Sequence, residues 1–158
     1  HMKTSMYNYS YMTDQRNLQV GVKTLILSDS GNILFLKRNP SVYKNDKLLL
    51  DIPGGRIDSG LSLEENLKRE VLEETGINTI EVLGILSAQD IFYENNHVIR
   101  LTYVSRVTGE VVVLSEEHES FEWIPLESVL SREGEVDELV VKVIKDKMSF
   151  IVDVGRVK

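Results

Sequence analysis

"GGRIDSGLSLEENLKREVLEETG", residues 54–76, holds a segment whose start, buried face and end can all be read locally. Ser62 followed three residues later by Glu65 makes a capping box, in which the hydroxyl accepts from a helix N–H and the carboxylate reaches back to the cap. Gly76 supplies the left-handed residue at which helices stop. The pattern therefore predicts a helix from Ser62 to Thr75. At about 100° per residue, Leu63, Leu67 and Val71 sweep one arc and form the expected core stripe. Glu70 and Glu74 fall on or beside that stripe, with Glu73 one turn from Glu70. Glu64, Glu65 and Lys68 point the other way, toward water.

Like charges beside an apolar stripe need a reason. Two carboxylates about 5 Å apart repel by under ~1 kcal/mol in bulk water, but by roughly 3 kcal/mol at an effective dielectric constant near 20. A solvated face tolerates the first figure. A half-buried one does not, because helix propensity and ion pairing return only about a few tenths of a kcal/mol per residue. A divalent cation reverses the sign, and hard ions such as magnesium are held by carboxylates together with substrate phosphates.

Outward from the helix, "LQVGVKTLILSDSGNILFLKRNP" reads as a hairpin turning at Gly31, and "LLLDIP" as a short strand stopped by Pro53 and Gly54. Downstream, "TIEVLGILSAQDIFY", "HVIRLTYVSRV" and "EVVVL" are expected as three strands, joined by turns at "ENNH" and "TGE". "SFEWIPLESVL" reads as a strand and a short helix. Val136, Leu139, Val140, Val143 and Ile144 recur at helical spacing. Strands on both sides of a central helix, with a terminal helix, imply an α/β architecture: a mixed β-sheet covered by helices.

The chain has 158 residues, enough for one domain with its own core. His1 before Met2 reads as a cloning scar. Residues 1–17, with three alternating tyrosines (Tyr7, Tyr9, Tyr11), are expected to form an arm available to pair with a second copy in a homodimer; residues 18–150 are expected to form the domain and 151–158 a tail. The N-terminal stretch lacks the apolar middle of a secretion signal, and no apolar run is long enough for a membrane span. With no cysteine there is no disulfide and no thiolate chemistry, and a cytoplasmic setting is the default expectation. A net charge of −7 argues against duplex nucleic acid as a partner and requires a local cation for any anionic substrate.

The same segment resembles the Nudix box, G-x5-E-x7-R-E-U-x-E-E-x-G-U, where U is aliphatic. Gly55, Arg69, Glu70, Val71, Glu73, Glu74, Gly76 and Ile77 occupy its fixed positions, and Leu61 stands where the pattern has its first glutamate. Asp58 lies nearby. "GNILFLKR", "DIPGG" and "EEHESFEWIPLESV" are similar to the segments that flank the box in family members, so the resemblance spans roughly residues 18–145. It implies an α/β/α sandwich with a mixed sheet between helices. It also implies hydrolysis of the pyrophosphate bond in a nucleoside diphosphate linked to another moiety, with Mg2+ (or Mn2+) as cofactor.

Carried over by position, Glu70, Glu73 and Glu74 are implied metal ligands with the Gly54 carbonyl, and Glu70 is also the candidate base for the attacking water. Arg69 would orient the glutamates by ion pairing. Glu117, in the loop before the last strands, is the candidate further acidic group, with Glu116 and Glu119 beside it and His118 a candidate proton-transfer helper. Arg38 and Arg56 are candidate phosphate clamps because guanidinium pairs bidentately with phosphate oxygens. Gly55 lets backbone approach the substrate phosphates. Tyr93 occupies the window beyond the box where subfamilies differ, which leans toward dinucleoside polyphosphates and away from ADP-ribose. Trp123, Tyr43 or an N-terminal tyrosine are candidates for base stacking.

No GxxxxGK[ST] phosphate loop and no GxSxG elbow occurs, and "SDSGN" lacks the spaced oxygens of a calcium loop. Leu61 keeps one alternative open: a catalytically weak or inactive Nudix-fold module that binds a nucleotide without hydrolysing it.

Overall fold

The structure is a computed structural model that describes residues 15–44, 47–109 and 111–156. The expectation for the arm falls on residues 1–14, outside the described residues. The elements are β1 (Asn17–Leu27), β2 (Asn32–Arg38), β3 (Leu50–Asp51), β4 (Gly54–Arg56), α1 (Leu63–Thr75), β5 (Glu81–Tyr93), β6 (Asn96–Arg106), β7 (His118–Pro125), α2 (Leu126–Val129), a 3-10 turn (Leu130–Glu135) and α3 (Glu138–Gly155).

Strand alternation assigns the two faces of the sheet. Along β1 and β2, Leu25, Leu27, Ile33 and Phe35 face a large cluster built with Val140, Val143, Ile144 and Ile151 of α3. Ile26, Leu34 and Leu36 face the opposite side with Val71 of α1, where Val22 and Leu67 also pack. The result is an α/β/α sandwich around a mixed sheet of order β3-β2-β1-β6-β5, with β4 paired to β1 and β7 to β2. β1 and β6 run parallel over their whole length; the other pairs are antiparallel.

The first hairpin turns as expected at Gly31, which has φ 79°, but β1 and β2 pair only at Leu27↔Ile33. Beyond that point β2 takes β7 and β3 as partners, while β1 takes β4 at Gly21↔Arg56, Val22↔Gly55 and Lys23↔Gly54. The strands part, and the short β3–β4 segment fills the opening. That splay creates the cleft described below.

The helix forms as its caps require. Ser62 Oγ accepts from Glu65 N at 3.1 Å, Glu65 Oε2 accepts from Ser62 N at 2.7 Å, and Gly76 ends the helix at φ 70°. Leu67 and Val71 are buried, but Leu63 is exposed because the first turn overhangs the sheet; Asn66 is buried in its place.

Three expectations are corrected. The described residues of "EVVVL", 111–114, form no strand. They run along the end of α1, where Val113 N donates to the Thr75 carbonyl at 2.8 Å, and so serve helix carbonyls that have no partner of their own. The terminal helix starts at Glu138, capped by Asp137, leaving Val136 extended and bridged to Leu50. It runs on to Gly155 with Ile151 fully buried, so residues 151–155 belong to the domain rather than to a tail. No helix among the described residues is long and apolar enough to cross a membrane.

Candidate active site

Two adjacent glycines let α1 approach β4. At Gly54, with φ 148°, a Cβ would stand 2.1 Å from the Val22 carbonyl oxygen and 2.6 Å from Lys23 Cα. At Gly55 a Cβ would meet the Glu70 carboxylate, 2.7 Å from Cδ. The absent side chains are what allow the Glu70 carboxylate to rest on the β4 backbone. Glu74 is tied down beside it, its Oε2 accepting from Gly54 N at 3.0 Å.

The loop before α1 is held by Asn66. Its Oδ1 accepts from Asp58 N at 2.7 Å, and its Nδ2 donates to the carbonyls of Asp58, Leu61 and Ser62. Arg69 donates to the same Oδ1 at 3.1 Å and pairs with Glu70 at 2.9 Å, Glu73 at 3.3 Å and Asp58 at 3.3 Å. Leu61 is exposed in this loop.

Glu70 and Glu74 converge with Glu117 and His118 on a hollow of 240 Å³, whose basic side is Lys23, Arg38 and Arg56. A second hollow of 210 Å³ shares Lys23, Arg38, Asp51, Gly55 and Arg56 with it, and adds Val22, Ile91, Val98 and Leu139 as apolar wall. The two make one cleft, acidic at one end and apolar at the other. Larger depressions of 520 and 580 Å³ lie elsewhere, but their charges close on one another, as in Lys145–Glu133 at 2.7 Å and Arg132–Glu135 at 3.0 Å.

Burial pushes the Glu74 carboxyl up to about 7; Lys23 and the Gly54 N–H oppose the shift, while Glu70 and Asp51 add to it. Burial also raises Glu70, opposed by Arg69 and reinforced by Glu73 and Glu117. Burial drives His118 below its ordinary value, toward neutral imidazole. For Asp51, burial pushes upward, but Lys23 at 2.7 Å and Arg100 outweigh it and hold the group below 3.8.

These directions set a pH dependence. Between pH 4.5 and about 7 the folded state keeps the Glu74 proton that the unfolded chain releases, so the folded state binds more protons and loses stability as pH rises. Glu70 acts in the same sense, Asp51 is already ionised throughout the window, and His118, held below its ordinary value, opposes them by adding stability as pH rises toward 6.5. The Glu74 share of this is on the order of 3 kcal/mol, so metal-free protein is expected to lose stability on balance across the window, and Glu74→Gln to flatten or reverse the curve. Urea unfolding in chelator at a series of pH values measures this; a wild-type curve that rises or stays level would refute it.

Most sequence candidates meet in the cleft. Arg38 lies over the Tyr43 ring at 4.8 Å. Arg56 donates to Gln19 Oε1 and to the Tyr93 hydroxyl, each at 2.9 Å, so Tyr93 is at the mouth of the cleft. Glu117 is the loop acid that reaches inside, whereas Glu119 pairs with Lys37 at 3.2 Å. Glu73 does not line the hollow; it is exposed and paired with Arg69. Trp123 does not line it either and packs against Ile26 and Leu34 on the α1 side.

Sequence reasoning missed a second set. Lys23, Asp51, Arg100 and Asp137 form a chain of charges along the cleft floor, with Arg100 5% exposed and 3.7 and 3.6 Å from the two carboxylates. Their signal was single charges in apolar strand runs, "VGVKTLIL", "LLLDIP" and "VIRLTYV".

The acidic end suits a divalent cation: oxygen donors dominate, and burial raises both Glu70 and Glu74 even against Arg69 and Lys23, so a further positive charge would favour the ionised pair. An acidic cleft on this sandwich points to a class of hydrolases. The family model of the NUDIX domain matches residues 17–143, and the chain belongs to the Nudix hydrolase family. It is 31% identical to a Bacillus subtilis protein called "Putative 8-oxo-dGTP diphosphatase", over 75% of this chain and 77% of that protein. It is 27% identical to "ADP-ribose pyrophosphatase" of Methanocaldococcus jannaschii, over 79% and 70%. The crystal structure of a MutT protein from Methanosarcina mazei superposes with a TM-score of 0.69 at 26% identity, covering 90% of this chain and 99% of that one.

Proposed function

We propose that this chain hydrolyses the pyrophosphate bond of a nucleoside diphosphate linked to another moiety, using Mg2+ or Mn2+ held at the acidic end of the cleft. The observation that carries the reading is the convergence of Glu70, Glu74 and Glu117 on one hollow whose other side is Lys23, Arg38 and Arg56. The Gly54 carbonyl, Glu70 and Glu74 would hold the cation; Glu73, outside the hollow and paired with Arg69, would have to leave that pair to join them. When bound, it supplies charge neutralisation for the phosphates and acidifies a water.

The chain's own groups do the rest. Glu70, seated over Gly55 and oriented by Arg69 at 2.9 Å, accepts the proton of the attacking water. Arg38 and Arg56 hold the diphosphate in line, so that phosphoryl transfer proceeds by positioning and electrostatics. The apolar end, with Val22, Ile91, Val98 and Leu139, takes the less polar part of the substrate and keeps water out.

The relatives' names put 8-oxo-dGTP and ADP-ribose first on the substrate panel, followed by dinucleoside polyphosphates and nucleotide sugars. Nucleoside monophosphate is expected as a product from at least one of these, only in the presence of a divalent ion. A protein that binds nucleotide and metal yet releases no monophosphate from any of them would be the non-hydrolysing module that Leu61 keeps in view.

A further inference from the structure

We propose that His118 contributes a nitrogen ligand to the cation site, with Glu74 and Glu117, so that the site favours Mn2+ over Mg2+. The inference rests on the functional reading above and deepens it.

Glu74, Glu117 and His118 each offer a ligand atom, and these atoms all lie within 4.8 Å of one another. Ligands about 2.1 Å from a shared ion stand roughly 3 to 4 Å apart, so closure onto a cation needs a contraction of at most about 2 Å. Glu74 is already oriented by the Gly54 N–H at 3.0 Å. The second observation is in the imidazole itself: His118 Nδ1 is shielded from solvent and has no hydrogen-bond partner. A half-buried imidazole with a shielded ring nitrogen that no protein group satisfies has a nitrogen free to accept a cation.

The backbone explains how two consecutive side chains reach one place. In a regular strand Glu117 and His118 would point to opposite faces. Here Glu117 lies in the turn before β7, and the β2–β7 register shifts between Lys37 and Arg38, the residue opposite His118. Such an irregularity re-aims a side chain. The turn is clamped in place: Asn39 N donates to the Glu117 carbonyl at 2.8 Å, and Asn39 Nδ2 to the Glu116 carbonyl at 3.0 Å.

The consequence is one of donor chemistry. Mg2+ takes oxygen ligands in near-ideal octahedral geometry, whereas Mn2+, although it too is suited by oxygen donors and is the weakest binder of the first-row series, is a transition ion that accepts an imidazole nitrogen more readily than Mg2+ does. A mixed oxygen and nitrogen set therefore raises affinity for Mn2+ relative to Mg2+.

The experiment is pulsed electron paramagnetic resonance of the full chain loaded with Mn2+ alone. A directly bonded imidazole nitrogen is expected to couple to the manganese, to change its coupling when the protein is made with 15N-histidine, and to vanish in His118→Gln. Calorimetric titration of the same variant is expected to show Mn2+ affinity falling about 10-fold or more while Mg2+ affinity changes little. The labelled wild-type protein gives an answer even if the variant misfolds. Bound Mn2+ without nitrogen coupling, or coupling that persists in His118→Gln, overturns the proposal while the hydrolase reading stands on monophosphate release. Failure of Mn2+ to bind also overturns the proposal, and the hydrolase reading falls with it only if neither Mn2+ nor Mg2+ supports monophosphate release.

Discussion

Glu70→Gln is expected to lower kcat by about 10³-fold while the unfolding midpoint stays within a degree or so of wild type, because general-base and metal-ligand losses act on the reaction rather than the core. The amide keeps the size and most contacts of the carboxylate over Gly55, so no cavity opens. It cannot accept a proton from water, and it contributes no negative charge to a cation. Arg69, 2.9 Å away, loses one anionic partner but keeps Glu73 and Asp58 at 3.3 Å, so the loop stays anchored. Steady-state kinetics with the best substrate from the panel decide the matter. A variant retaining a tenth of wild-type kcat would take the base role away from Glu70.

Gly54→Ala should produce the largest loss of stability. Its Cβ would be forced to 2.1 Å from the Val22 carbonyl oxygen, at a φ of 148° that side chains rarely adopt. The obstacle is the β1 backbone in the centre of the sheet, which cannot swing aside. Overpacking and backbone strain together are expected to cost about 3–5 kcal/mol, a large share of the total for a domain of this size. The neighbouring Gly55→Ala is the contrast, since its Cβ meets the movable end of Glu70, 2.7 Å from Cδ. That variant is expected to fold and to lose metal affinity. Thermal unfolding of the two side by side tests the pair; a Gly54→Ala midpoint equal to that of Gly55→Ala would contradict the argument.

The legible parts of this protein are those in which cause and effect are neighbours in the chain. Ser62, Glu65 and Gly76 set the limits of α1 through contacts no more than a few residues long, and the caps form as expected. The helical wheel separated the glutamates correctly: Glu74 is buried, Glu70 half-buried, and Glu64 and Glu65 exposed. The same wheel misplaced Leu63, because the wheel has no knowledge of where the sheet ends beneath the first turn. The valines of "EVVVL" satisfied strand propensity, yet residues 111–114 found helix carbonyls rather than a neighbouring strand. Propensity describes what a segment tolerates; a strand also needs a partner.

By itself the sequence determined the acidic helix, the alternation that gives the sheet two apolar faces, and the family to which the chain belongs. Those depend on local spacing, which the polymer carries in any conformation. Tertiary structure alone decided which acids meet. Glu74 reaches Glu117 and His118 across more than forty residues only because β1 and β2 separate after one pair and the β7 turn is pinned to the end of β2. Lys23, Asp51, Arg100 and Asp137 become one charged floor for the same reason: electrostatic coupling follows distance in space, and distance in space is set by strand register.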